Sequence, residues 1–211
     1  GKMNILFSPI GGTDPVSEYN FYDGSMLHIC RHYDIDKVYM YMSKEIWDKH
    51  IVDNRYVLFV EKLAEVKNKK IECEIIADKD KVNVQEYEQF YWDFEKIIKK
   101  IMEEKKDEDK FFINVSSGTP AMKSALIVLQ DLQEYDCELI QVDTPEKKMN
   151  THTHEKKPDL QSLLEFNAEV ESENINRCRK LYCPSISRLR QMNIIQKHID
   201  DYDYRAAYSV A

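Results

Sequence analysis

Two short segments of the chain carry residue types that could bind a small polar ligand. The first, residues 8–15, reads Ser-Pro-Ile-Gly-Gly-Thr-Asp-Pro and holds two of the five glycines in the sequence. Adjacent glycines let the backbone adopt positive φ and approach a ligand closely, and serine and threonine hydroxyls add hydrogen-bond donors. The candidate ligand-binding residues of this segment are Ser8, Pro9, Gly11, Gly12, Thr13 and Asp14.

The second segment, residues 114–123, reads Asn-Val-Ser-Ser-Gly-Thr-Pro-Ala-Met-Lys. Pro120 suits the first position of a helix, which makes Thr119 the N-cap residue. Free backbone N–H groups at such a helix start can bind an anion, and two serine hydroxyls stand beside them. The candidate ligand-binding residues here are Ser116, Ser117, Gly118, Thr119 and Pro120.

Either segment alone fits a plain turn as well as a binding loop: a glycine turn in one case, a capped strand-to-helix connection in the other. Neither contains the Gly-x-Gly-x-x-Gly dinucleotide fingerprint or the Gly-Lys-Ser/Thr of a Walker loop. Because both segments follow an apolar run, their joint placement favours binding.

Five apolar runs alternate with longer amphipathic segments. The runs predict strands at 4–8, 38–42, 71–77, 111–115 and 137–142. The periodicity between them predicts helices at 23–32, 44–67, 85–105 and 120–133, the second broken near Asp53-Asn54. Apolar strands separated by helices predict an α/β fold, a Rossmann-like, doubly wound and mainly parallel sheet. Ligands of such sheets bind at the carboxyl ends of strands, so the two segments would face one crevice if strands one and four are neighbours.

The pattern changes after Val142. Residues 146–158 are polar and predict a linker between an α/β domain at 3–145 and an incomplete helical region at 159–211. Helices are predicted at 160–182 and 187–202 with no strand between them. The second helix carries an apolar face, including Ile195 and Ile199, that has no partner in the predicted sheet.

Composition and charge restrict the partners. The 211 residues carry a net charge of -8, whereas a protein that coats duplex DNA or long RNA usually presents a basic face. A small nucleotide held by backbone amides needs little positive charge. The five cysteines are scattered and odd in number, which favours a reducing cytoplasm. No apolar run approaches the ~18 residues of a membrane span, so we expect neither membrane nor duplex DNA as a partner.

Histidines supply two further candidate sites. The segment from Thr151 to Glu155 holds His152 and His154 beside a carboxylate. It lacks a third spaced ligand group, so we expect no metal and no other cofactor. His28 and His32 lie one turn apart on the first predicted helix, where we expect them at the surface.

Residues 114–123 resemble the ligand-binding signature of CARF domains in the Csm-type ancillary ribonucleases of type III CRISPR systems. The segment at 8–14 is similar to that family's first-strand loop, and residues 201–207 resemble the start of its helical region. The resemblance covers nearly the whole chain. It implies an antiviral defence protein that forms a homodimer, in which two CARF domains build one pocket for cyclic oligoadenylate, six adenylates being favoured over four. It also implies that the ligand allosterically activates a metal-independent HEPN ribonuclease.

The resemblance assigns the ligand contacts to both candidate loops, and it makes Thr119 the residue that would assist slow cleavage of the bound ring. HEPN nucleases place an Arg and a His at a short spacing, and no such pair occurs here; Arg190 and His198 come closest. We therefore expect the RNA-cleaving site to lie beyond Ala211. An RNA substrate would then bind only to that effector region and not to residues 1–211.

Two other functions remain open. A small nucleotide- or sugar-modifying α/β enzyme could use the same loops, although Asp14 is the only carboxylate close to either one. A CARF-like transcriptional regulator would use its helices, where Arg188 and Arg190 add basic character. The acidic residues Asp200 and Asp201 follow, however, and they are unfavourable beside phosphates.

Overall fold

The computed structural model describes residues 1–145, 157–171, 175–182 and 193–202. Its strands, in chain order, are β1 (Asn4–Pro9), β2 (Lys37–Met42), β3 (Glu72–Ala77), β4 (Lys110–Asn114), β5 (Glu138–Val142) and β6 (Cys178–Lys180). They form one sheet in the order β3-β2-β1-β4-β5-β6, in which β6 alone runs antiparallel to its neighbour. The five strands predicted from the apolar runs are confirmed.

The order of the strands reverses direction between β1 and β4. From β1 the chain winds outward through β2 to β3, then returns to the other side of β1 and continues through β4 to β5. β1 and β4 pair directly, with Ile5 opposite Phe111 and Phe7 opposite Ile113. This reversal is the point at which doubly wound sheets open a crevice at the carboxyl ends of their strands.

Helices cover both faces of the sheet. Those in the first two-thirds of the chain are α1 (Ser25–His32), α2 (Lys44–Asp53), α3 (Arg55–Val66), α4 (Tyr87–Glu104) and α5 (Pro120–Gln133). Side chains of β1 alternate between the faces, as strand geometry requires: Leu6 packs in the core with α1 and α3, whereas Phe7 packs in the core with α4 and α5. The predicted doubly wound α/β fold is confirmed.

Three predicted helices begin or end elsewhere, although α4 differs from its predicted range of 85–105 by only one or two residues at each end. The helix predicted over 44–67 is divided into α2 and α3 by Asn54, whose φ of 56° lies in the left-handed region. The Asn54 N–H donates to the His50 carbonyl, which ends α2. Asparagine tolerates this conformation better than most residues, and the division falls at the break noted in the sequence. The first helix begins at Ser25, two residues later than its predicted start.

The helix predicted over 160–182 is wrong. This part of the chain forms two short helices, α6 (Leu160–Glu165) and α7 (Ala168–Glu171), and then β6. Asn167 separates the helices because its side chain accepts a hydrogen bond from the Glu169 N–H, which competes with helix formation. β6 pairs with the free edge of β5, so the sheet extends into the region that the sequence suggested was helical.

Residues 193–202 form a helix, within the range predicted for it. The linker predicted at 146–158 lies mostly outside the described residues, as do the histidines at 152 and 154 and the arginines at 188 and 190. Among the described residues no helix is long and apolar enough to cross a bilayer.

Candidate functional site

The two candidate loops meet at the carboxyl ends of β1 and β4. Gly11 and Gly118 face each other so closely that a Cβ atom on Gly11 would lie 2.7 Å from the Gly118 backbone nitrogen. A Cβ atom on Gly118 would in turn lie 2.6 Å from the Met122 sulfur and 3.3 Å from Pro9 Cβ. The loops therefore pack backbone against backbone, and both contact positions require glycine.

Positive φ accounts for only one of these glycines. Gly118 has a φ of 89°, but neither Gly11 nor Gly12 lies in the positive-φ region. The expectation that the Gly-Gly pair serves to adopt positive φ is therefore wrong. Gly11 is required by close approach to the other loop, whereas Gly12 is exposed and has open space around its α carbon.

Asp14 joins the two loops by hydrogen bonds to a residue of each one. Its buried carboxylate accepts hydrogen bonds from the Gly11 N–H at 2.8 Å, from the Met26 N–H at 3.3 Å and from the Ser117 hydroxyl. Burial raises the pKa of Asp14 above its ordinary value, although its three hydrogen bonds oppose the rise. In this structure the Asp14 carboxylate and the Ser117 hydroxyl are thus engaged with the protein itself.

Asn114 performs a similar role at the end of β4. Its side-chain NH₂ donates to the hydroxyls of Ser8 at 3.0 Å and Ser25 at 2.9 Å, and its Oδ1 accepts from the Ser116 N–H at 2.8 Å. Both Asn114 and Ser8 are fully buried. The sequence places Asn114 in the second segment, but it was not selected as a candidate ligand-binding residue. A polar residue at the end of an apolar strand is the feature that could have identified it.

Thr119 begins α5 as predicted. Its hydroxyl accepts from the Met122 N–H at 3.4 Å, which is the N-cap interaction, and donates to the Val84 carbonyl at 2.6 Å. The second bond ties the start of α5 to the connection between β3 and α4. Ser116 has a different partner: its Oγ accepts from the Val142 N–H at 2.8 Å, at the end of β5.

A cleft of about 150 Å³ opens above the contact between the loops. It is lined by Gly11, Gly12, Gly118 and Thr119 from the two loops, and by Ile10, Ser43, Glu45, Ile46, Lys49, Val84 and Met122. Thr13 and Pro120, the chain neighbours of Gly12 and Thr119, are exposed. A groove of about 400 Å³ runs along α5, β5 and β6. It is lined by no residue of either loop and by none from β1, so it lies away from the point where the strand order reverses. The smaller cleft is therefore the candidate ligand site.

A second cluster of buried polar groups lies where α1 meets the segment from α6 to β6. His28, expected at the surface, is fully buried, and that expectation is wrong. Its Nδ1 lies 3.3 Å from carboxylate oxygens of Asp23 and Glu169, and its Nε2 accepts from the Arg177 N–H at 3.1 Å. The Arg177 guanidinium donates to Glu169 at 2.6 Å.

These groups compensate one another's charge. The two carboxylates and His28 are close enough together to bind a metal ion, but the Arg177 guanidinium already supplies a positive charge to Glu169. Arg31 does the same for Asp23, with Nε 2.7 Å from the carboxylate. Because buried charges are tolerated only when paired and hydrogen-bonded, the cluster is best explained as the attachment of the later segment to α1.

The cluster predicts how stability depends on pH. Burial alone would raise the pKa of Asp23 and Glu169, but hydrogen bonds from His28 and from the arginines hold both pKa values below their ordinary level. Their contribution is complete above the unfolded-state pKa values, about 4, and is lost as the pH falls through the lower folded-state values. Urea unfolding from pH 7 to pH 3 should show this loss. The Glu169→Gln variant should be less stable at pH 7 and decline less steeply; an equally steep decline would contradict the assignment.

The fold and the cleft define a class of protein: a doubly wound α/β domain with a candidate ligand site between two loops, where the strand order reverses between β1 and β4. Residues 72–178 match the family model described as the Cas_Csm6 CARF domain. The chain belongs to this family, as its loop residues suggested.

Curated relatives agree with this assignment. The chain is 34% identical over 213 residues to the CRISPR system endoribonuclease Csm6 of Enterococcus italicus, covering 97% of this chain and 47% of the relative. It is 29% identical over 210 residues to a Csm6 of Streptococcus thermophilus, covering 99% of this chain and 46% of the relative. The chain thus spans about half the length of the curated relatives it matches. A solved structure of the Enterococcus italicus Csm6, bound to cyclic hexa-2'-fluoro-hexa-dAMP, superposes with a TM-score of 0.74 at 31% identity, over 98% of this chain and 49% of that one.

Proposed function

We propose that this chain senses cyclic oligoadenylate in a type III CRISPR defence system and binds it in the cleft between the two loops. The observation that carries the proposal is the backbone contact between Gly11 and Gly118, which presents the ends of two neighbouring strands to one cleft. A ligand placed there meets backbone N–H groups and the start of α5, an arrangement that favours phosphate. The relative of known structure binds a cyclic hexa-adenylate analogue, which favours six adenylates over four.

A symmetric homodimer forms the complete pocket in this proposal. The cleft of one chain, about 150 Å³, is smaller than the roughly 300–1,000 Å³ that holds a drug-sized ligand, and a ring of six nucleotides is larger still. One chain can therefore enclose only part of the ring. A ring with internal symmetry is best held by the same surface from two chains.

The activity of the whole protein is a further part of the proposal. Relatives that extend beyond this chain are named endoribonucleases, and we propose that ring binding here activates a metal-independent ribonuclease allosterically in the cytoplasm. An RNA-cleavage assay of the longer protein, with and without the ring, tests this step.

Any slow cleavage of the ring would use Thr119, whose hydroxyl would first have to leave the Val84 carbonyl that it now contacts. Undiminished ring cleavage by a folded Thr119→Val variant would exclude that role.

Calorimetry tests the binding proposal directly. The wild-type chain should bind cyclic hexa-adenylate with a stoichiometry of one ring per two chains, and cyclic tetra-adenylate more weakly. Linear hexa-adenylate is the matched control, because it carries the same bases without the closed ring. Equal affinity for linear and cyclic forms, or no heat with either ring, would contradict the proposal. Light scattering of the same samples measures whether two chains associate.

A further inference from the structure

The proposed ligand and the chain both carry negative charge, so the site needs a group that can bind phosphate. A cyclic oligoadenylate carries one negative charge per phosphate, whereas the chain has a net charge of -8. Within the part of the chain that the structure describes, the cleft is lined by one cationic side chain, Lys49, and one anionic side chain, Glu45. Neither was selected from the sequence, because both read as ordinary surface positions of a charged helix.

Both side chains reach the cleft from α2. This helix follows β2, the direct neighbour of β1, so it starts at the same edge of the sheet as the two loops. The Ile10 N–H donates to the Tyr41 carbonyl at 2.9 Å, which joins the first loop to the end of β2. Lys49 and Glu45, one turn apart on α2, thus line the same cleft as Gly12 and Thr119.

The pairing between the two side chains is loose. Lys49 Nζ lies 3.6 Å from Glu45 Oε1, and the side chains are 42% and 76% exposed. An exposed helical pair of this kind contributes little to stability, whereas a hydrogen bond from an ammonium group to a phosphate is charge-assisted and stronger. Lys49 can therefore exchange its partner at little cost when a phosphate enters the cleft.

We propose that Lys49 is the phosphate-binding residue of the site, and that Glu45 holds its ammonium group while the cleft is empty. This inference rests on the proposed function and assigns recognition of the ring's phosphodiesters to one side chain of each protomer. Glu45 then competes with the ligand, which makes uncharged compounds such as single nucleosides poor replacements for the ring.

Calorimetry with cyclic hexa-adenylate at several salt concentrations tests the proposal. Lys49→Gln should raise the dissociation constant about tenfold for each Lys49 that contacts the ring. It should also reduce the slope of log affinity against log salt by up to about 0.7 per lost contact. Lys49→Arg should retain most of the affinity, and Glu45→Gln should tighten binding about twofold because the competing anion is gone.

Lys44→Gln is the matched control. Lys44 forms the same kind of pair on the same helix, with Asp48 at 2.6 Å, but it does not line the cleft. Its substitution should leave both the affinity and the salt slope unchanged. Equal losses in the Lys44 and Lys49 variants, or a Lys49→Gln variant with wild-type affinity and slope, would overturn the inference while leaving ring binding itself in place. If the wild-type chain binds no ring, the proposed function fails and this inference fails with it.

Discussion

The Arg177→Ala variant is expected to lose about 3–5 kcal/mol of unfolding free energy, the usual cost of removing one partner from a buried ion pair. The Arg177 side chain is 10% exposed and donates to the nearly inaccessible Glu169 carboxylate. Without the guanidinium, the two buried carboxylates keep Arg31 as a cationic partner and the Nδ1–H of His28 as a hydrogen-bond donor. Urea unfolding followed by circular dichroism at pH 7 measures the loss.

Arg179→Ala supplies the control for this prediction. Arg179 lies two residues further along the chain, in β6, and pairs with Asp143 at 2.8 Å, but its side chain is 61% exposed. Removal of an exposed pair should cost at most about 1 kcal/mol. A double substitution, Arg177→Met with Glu169→Leu, should be more stable than Arg177→Ala, because it removes the unpaired charge as well. Similar losses in the Arg177 and Arg179 variants would show that the buried cluster is not what holds β6 and α7 in place.

The second large effect is expected from Gly11→Ala. The new methyl group would lie 2.7 Å from the backbone nitrogen of Gly118, where no flexible side chain can move aside. The loops must then separate, at a cost of about 1–3 kcal/mol in stability, as in other overpacked sites. Affinity for cyclic hexa-adenylate should fall more than tenfold in calorimetry, because the two sides of the cleft no longer hold their relative positions.

Gly12→Ala tests whether crowding is the cause. The substitution is identical and adjacent, but apart from Gly12 itself and its chain neighbours no atom lies within 4 Å of the added carbon. The Gly12 variant should therefore unfold at the same urea concentration as the wild type. If both variants were equally unstable, the loss would reflect the general restriction of a glycine turn and not contact with the second loop.

Most of the sheet could be predicted from the sequence because its signal is local. Each parallel strand is an apolar run bounded by an amphipathic helix, and chain chirality then limits how such units can wind. The two loops could be identified for the same reason: glycine, proline and a capping threonine mark strand ends and helix starts within a few residues. Pro120 and Thr119 begin α5 at the predicted positions.

The remaining features depend on contacts between residues far apart in the chain. The Ser117–Asp14 hydrogen bond joins residues separated by 103 positions, and the His28–Arg177 bond spans 149. No periodicity in the sequence reports such contacts. β6 was missed because a three-residue strand has too few positions to show alternation, and it is defined by the open edge of β5. Lys49 was not selected because its place in the lining of the cleft depends on where α2 starts, not on its own neighbours in the sequence.

The direct backbone contact between Gly11 and Gly118 also bears on the entropy of binding. Side chains that line a cleft can change rotamer and must be immobilised when a ligand arrives, at roughly 0.5–1.5 kcal/mol each. The floor of this cleft has no rotamers to lose, because it consists of two main-chain segments already fixed by folding and fastened by Asp14. Preorganisation of this kind allows a small number of polar contacts to yield a high affinity, and it favours ligands whose shape already matches the empty cleft.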